Sequence, residues 1–177
     1  MPVRFLTFTL MAIAIAMPVA GCRPATNSTR AAATPPTGAG DLVARGRYLV
    51  QVGGCNDCHT EGYGARGGDV PESQWLLGSR SGFLGPWGTS YATNLRLTAD
   101  RLDQAAWLSY TATLQARPLM PAYMLRRMQE QDRLAIYRFL RTLGPAGDPA
   151  PAALPPGQQP SPPYLELVLP PETPTRP

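Results

Sequence analysis

"GGCNDCHTEG", residues 53–62, holds two of the chain's three cysteines and its one histidine. Cys55 and Cys58 are three positions apart and His59 follows at once, so a single helical turn would present both sulfurs along one edge with the imidazole beside them. The stretch before it, "DLVARGRYLVQVGG" (41–54), places Leu42, Gly46, Leu49, Val50 and Gly53 at helical spacing. Asp41 is the expected cap and Gly53-Gly54 the expected stop. A helix therefore delivers the chain directly to Cys55.

Three chemistries compete for such a cluster. A C-x-x-C redox pair belongs inside a βαβ pattern, which this sequence lacks. A zinc site needs a fourth Cys or His, and only Cys22 is left to supply one. C-x-x-C-H is also the haem c attachment motif, in which the thiols of Cys55 and Cys58 add to the porphyrin edge and His59 ligates the iron. That third reading asks for nothing the sequence withholds.

A second axial ligand cannot be another histidine of the same chain. Among the methionines past the N-terminal segment, Met124 and Met128 are spaced i and i+4, as core-filling residues are. Met120, in "ARPLMPAYM" (116–124), lies between Pro118 and Pro121, which keep the loop out of a helix. It is the candidate thioether ligand, with packing as its alternative role. Two protein ligands leave iron free only to change oxidation state, which describes an electron carrier and not an enzyme. Without the Met120 bond, a five-coordinate site would suit a gas sensor or weak peroxidase.

The flanks say where such a protein works. Residues 1–21 carry Arg4, an apolar run from Phe5 to Val19 and small residues before Cys22, the pattern of an export signal. About fifteen apolar residues are fewer than the roughly twenty a membrane span needs. "VAGC" (19–22) resembles a bacterial lipobox, which implies lipidation of Cys22 and a protein held to the outer or inner membrane on the periplasmic side. Residues 22–40 read as a flexible tether. Residues 145–177 are more than one-third proline and read as a polyproline-like or disordered tail, except "YLELVL" (164–169), which alternates enough to dock as a short strand or apolar clip.

The formal charge of +4 rests on sixteen arginines and no lysine. They are scattered from Arg4 to Arg176 without interleaved aromatics, so nucleic acid is not an expected partner. Arg117, Arg126 and Arg127 read as a solvated face, with an acidic partner surface as the alternative.

Between the flanks, further helices are expected at 98–114, with Thr98 as cap and Leu102, Ala105, Ala106 and Trp107 turned inward, and at 129–143, closed by Gly144-Pro145. Residues 60–94 are glycine-rich and aperiodic, suggest few strands, and need something to wrap around.

Together, "ARGRYLVQVGGCNDCHT" (44–60), "GPWGTSYATNL" (85–95), "RPLMPAY" (117–123) and "LAIYRFLRTLG" (134–144) resemble a class I cytochrome c domain spanning 41–144. Among those, the chain is most similar to haem domains of the cytochrome subunits of periplasmic, membrane-bound dehydrogenases. The resemblance implies a mainly α fold of three to four helices around one covalent haem, with thioethers at Cys55 and Cys58 and axial ligands His59 and Met120. It further implies a small residue of the first helix, Gly46, crossing an aromatic of the last, Phe139 or Tyr137. Trp87, Tyr91 and Asn94 fall where that family lines the haem pocket. Partners would be redox proteins, a dehydrogenase or a respiratory complex.

Overall fold

The computed structural model describes residues 38–168 and 170. The signal segment, Cys22 and nearly all of the expected tether lie outside the described residues. The chain is mainly helical with one small sheet. Helix α1 spans Ala39–Val52, α2 Cys55–His59, α3 Leu95–Arg101, α4 Gln104–Thr113, α5 Ala122–Arg127 and α6 Glu130–Leu143. Strands β1 (Gly82–Gly85), β2 (Gly88–Tyr91) and β3 (Tyr164–Glu166) form a sheet in the order β2-β1-β3.

Helices α1 and α6 are the frame, and both follow their apolar spacing. Gly46, Leu49 and Val50 are the buried residues of α1, and Ile136, Phe139 and Leu140 line the core side of α6. Asp41 lies in the first turn of α1 and does not cap it; the helix starts two residues earlier, behind Gly38. At the crossing, a methyl group on Gly46 would lie 2.0 Å from the carbonyl oxygen of Ala135 and 2.8 Å from Phe139 Cβ. Only a residue without a side chain allows that approach. Tyr137 is engaged elsewhere: its hydroxyl donates to the Leu102 carbonyl and its ring tilts against Trp107.

The single middle helix expected over 98–114 is two. Asn94, not Thr98, caps α3, its side chain accepting from the amides of Arg96 and Leu97. The chain then turns extended at Leu102, and Asp103 caps α4 by accepting from the Ala106 amide. An aspartate that satisfies a free helical N–H is a start signal, which breaks the segment in two. Trp107 is buried and donates to the Arg133 carbonyl, as its expected inward position requires, whereas Ala105 is exposed.

The glycine-rich stretch 60–94 carries its own core contacts. Val70, Trp75 and Leu76 are buried in the main cluster, and the Trp75 ring meets Phe139 and Tyr63 edge-on. β1 and β2 form a hairpin closed by Pro86-Trp87, with Gly85 opposite Gly88. Gly88 takes a left-handed φ of 89°, and the indole of Trp87 lies where a Gly85 side chain would be.

Of the two backbone states expected for the tail, the disordered one is corrected. Residues 145–168 run extended over the domain as an arm. The Asn94 amide donates to the carbonyls of Ala146 and Asp148, and Thr89 and Leu154 exchange two backbone hydrogen bonds of 3.0 Å. The Gly82 amide then bonds the Pro163 carbonyl, and β3 pairs parallel to β1 with Phe83 beside Leu165. Proline removes a donor but keeps its carbonyl, and most of these contacts use the arm's carbonyls. The expectation that 164–169 supplies a docking strand agrees with β3.

Candidate functional site

Two glycines set the site in place. Gly53 ends α1 with its amide on the Leu49 carbonyl, and Gly54, in the left-handed region at φ 67°, turns the chain into α2. The short helix α2 is then tied to the following loop at three points. The Thr60 hydroxyl donates to Asn56 Oδ1 (2.7 Å) and accepts from the Leu76 amide (2.8 Å), and the His59 carbonyl accepts from the Gly78 amide (2.8 Å). Gly78 cannot carry a side chain, because a Cβ would come within about 3 Å of the backbone at Ala92–Asn94.

That close packing brings the Thr93 carbonyl to His59. The distance from His59 Nδ1 to the oxygen is 2.7 Å. A carbonyl only accepts, so Nδ1 carries the proton and Nε2 keeps its lone pair. The ring is buried, and burial pushes its pKa down against the opposing pull of the Thr93 bond. The imidazole is therefore neutral, oriented and basic at Nε2, the condition of a metal-ligating histidine whose other nitrogen is held by a carbonyl.

Cys55, one turn before His59, and Cys58, immediately before it, are half-buried and not bonded to each other. Burial pushes the Cys55 thiol up to about 11, with Asp57 and Cys58 adding to it, and burial followed by Asp57 raises Cys58. Both stay protonated at neutral pH, unlike the low-pKa thiolate of a disulfide exchanger. Among the described residues no group of three His, Cys, Asp or Glu side chains comes together to hold a metal ion, so the zinc reading gains no further ligands.

Met120 lies in the irregular segment between α4 and α5, 38% exposed, with its amide on the Arg117 carbonyl and its own carbonyl accepting from Ala122. Leu119, Tyr123 and Met124 nearby in sequence are exposed as well. Four large apolar side chains within six residues are uncovered. Met124 is thus not a core residue, while half-buried Met128 packs against the core cluster.

The three expected pocket residues divide. Trp87, at the hairpin turn, has a buried Nε1 with no hydrogen-bond partner, and Thr89 Oγ1 and Ser90 Oγ on β2 are buried and unpartnered too. Three orphaned donors on one hairpin are costly unless acceptors meet them, and a carboxylate-bearing group would do so. Tyr91 ends β2 opposite Gly82. Asn94 caps α3 and anchors the arm through the same side chain.

The donor set passes the chemical test for haem c: two protonated thiols, an imidazole with Nε2 free, a thioether on an apolar loop and unpaired donors suited to propionates. The role of Thr93 was invisible beforehand, because its acting group is a main-chain carbonyl that any residue provides. Arg117 was read as a solvated charge, yet its Nη2 donates to the carbonyls of Trp87 (2.5 Å) and Leu154 (3.1 Å). Arg126 likewise donates to the Leu114 carbonyl, and the Arg127 guanidinium lies over the Tyr123 ring.

The chain matches no protein-family model, no curated protein and no solved structure. Its function must be argued from this geometry. Among the described residues no helix is long and apolar enough to cross a membrane.

Proposed function

We propose that this protein is a mono-haem c-type cytochrome that carries single electrons at the periplasmic face of a bacterial membrane. The observation that carries the reading is the 2.7 Å bond from His59 Nδ1 to the Thr93 carbonyl, which leaves Nε2 of a buried, neutral imidazole unbonded on the helix that carries two free thiols. Nothing in a thiol exchanger or a core histidine calls for that combination.

Haem, when bound, supplies a one-electron iron couple. The residues do the rest. Cys55 and Cys58 would hold the group through their two thiols, as thioethers. His59 Nε2 and the Met120 thioether would be the iron's protein ligands, and a thioether donor would favour the ferrous state and a higher potential. The Thr93 bond fixes the imidazole plane, so little geometry changes on electron transfer. The Gly46 crossing of α1 and α6 further supports the class I cytochrome fold.

The export segment and Cys22 support a lipid-anchored periplasmic location, with a dehydrogenase or a respiratory complex as redox partner. Encounters of such carriers are small and transient.

The test is mass and spectrum together. Protein matured with a haem-attachment system is expected to carry one added tetrapyrrole, a lipidated Cys22 and a low-spin reduced-minus-oxidised difference spectrum, while Cys55→Ala/Cys58→Ala is expected to be colourless. Wild-type protein that matures without tetrapyrrole mass would sink the proposal.

A further inference from the structure

The segment 114–121 has little packing to hold it: every residue from Gln115 to Pro121 is exposed. Its local bonds, Met120 amide to Arg117 carbonyl and Ala122 amide to Met120 carbonyl, shape a turn without attaching it to the rest of the fold. Arg126 of α5 holds its first residue through the Leu114 carbonyl, and the exposed remainder is attached by the Arg117 side chain. Its Nη2 donates at once to Trp87 O at the hairpin turn and to Leu154 O in the C-terminal arm. No carboxylate of the described residues pairs with this guanidinium, so its bonds to two carbonyls are what orient it.

Those two carbonyls are themselves held together. Thr89, two residues after Trp87, exchanges both backbone bonds with Leu154. Gly88 permits the contact, since a side chain there would lie 2.2 Å from the Leu154 oxygen. The arm is anchored on either side of this point, by Asn94 at Ala146 and Asp148 and by β3 along β1. A proline-rich arm, a hairpin and a loop thus meet at one nitrogen atom.

We propose that Arg117 and the C-terminal arm form a clamp that positions Met120, making the arm part of the apparatus that keeps the sixth iron position filled. Arg117 is a positioning residue: its carbonyl receives the Met120 amide while its side chain fixes the turn against Trp87 and Leu154. The inference rests on the His59/Met120 reading. It adds that loosening a contact remote from the haem-attachment motif frees the thioether.

Full-length, haem-loaded protein tests it by the rate of carbon monoxide binding to the reduced form, read alongside the ferric sulfur-to-iron charge-transfer band. Arg117→Met, which keeps length and loses the donor, is expected to bind carbon monoxide at least tenfold faster than wild type, with an unchanged far-ultraviolet circular dichroism spectrum. Arg117→Lys, which restores a cationic donor of similar reach, is expected to return to within threefold. Leu154→Pro removes the amide that bonds Thr89 and is expected to speed binding independently of the arginine; it decides the matter if Arg117→Met fails to mature. Met120→Ala sets the upper rate. If Met120→Ala is fast while Arg117→Met and Leu154→Pro both stay within twofold of wild type, the clamp is refuted and the ligand reading stands. If wild type itself binds as fast as Met120→Ala, the ligand reading fails, and the clamp with it.

Discussion

Gly46 and Phe139 meet where α1 crosses α6, so closely that a methyl group on the glycine would lie 2.8 Å from the Phe139 Cβ and 2.0 Å from the neighbouring Ala135 carbonyl oxygen. Two helix backbones touch there, and the short helix α2 bearing His59 is hung from the end of one of them. Gly46→Ala must push the helices apart in a packed core, a cost of about 3 kcal/mol or more. Its helix propensity gain of about 1 kcal/mol does not offset that. Thermal unfolding of the haem-loaded variant is expected to show the loss, and a variant as stable as wild type would mean the crossing is looser than described.

Asn94 joins two parts of the molecule through one side chain. Its Oδ1 caps α3 and its Nδ2 holds the arm at Ala146 and Asp148. Asn94→Ser keeps a good cap and loses the arm donors, so about 1–2 kcal/mol is expected to go; Asn94→Ala should lose about 1 kcal/mol more. Hydrogen exchange separates the effects. Faster exchange at Leu154 and Leu167 is expected in both variants, and faster exchange at Arg96 and Leu97 in Asn94→Ala alone.

How much of this was legible beforehand follows from which groups act. α1 and α6 were readable because their inward residues repeat at helical spacing, and the Cys55-Cys58-His59 cluster because attachment chemistry dictates residue types. The break at Leu102-Asp103 was not, since an aspartate inside an apolar pattern reads as a surface residue until its side chain is seen on the Ala106 amide. The arm was misread for a more general reason. Proline counts against helices and central strands, but a segment that docks chiefly through its carbonyls loses nothing by having few N–H groups. Thr93 and Arg117 also act on or through main-chain atoms. Composition and spacing carry no trace of such contacts.

Arg96 is 7% exposed and donates to the carbonyls of Ser73, Leu143 and Gly144. The last two end α6, where a cation also meets the negative pole of the helix. Lysine cannot reach three diverging carbonyls with one ammonium. Arg96→Lys is therefore expected to cost about 2 kcal/mol and Arg96→Met about 3 kcal/mol, the latter leaving all three acceptors unpaired. Urea unfolding midpoints check both losses; a purely electrostatic role would leave Arg96→Lys as stable as wild type.

Glu61 accepts hydrogen bonds from the Ser79 hydroxyl, the Arg80 amide and the Ser81 hydroxyl. Partial burial raises its pKa, but the hydrogen bonds outweigh it and hold the carboxyl below its ordinary 4.5. A carboxylate depressed on folding contributes stability above its unfolded value, and that contribution fades as pH falls below 4.5 through the folded value. Glu61→Gln is thus expected to be less stable than wild type at pH 7 and to close the gap between about pH 5 and 3. Equal differences at both ends of that range would show that the charge is not what the two serines and the Arg80 amide recognise.

Met120→His probes the proposed sixth ligand from the opposite direction to removal. The loop that carries it is exposed and, apart from the Arg117 bonds and the Arg126 bond to Leu114, lightly held, so an imidazole of similar reach can occupy the position. Replacing a soft thioether by a nitrogen donor withdraws the preference for ferrous iron. The midpoint potential is expected to fall by more than about 0.1 V, within the roughly 0.8 V span that axial ligands command, and the ferric sulfur-to-iron band to vanish while the spectrum stays low-spin. If the potential and the band of wild type and variant coincide, sulfur is not on the iron at all.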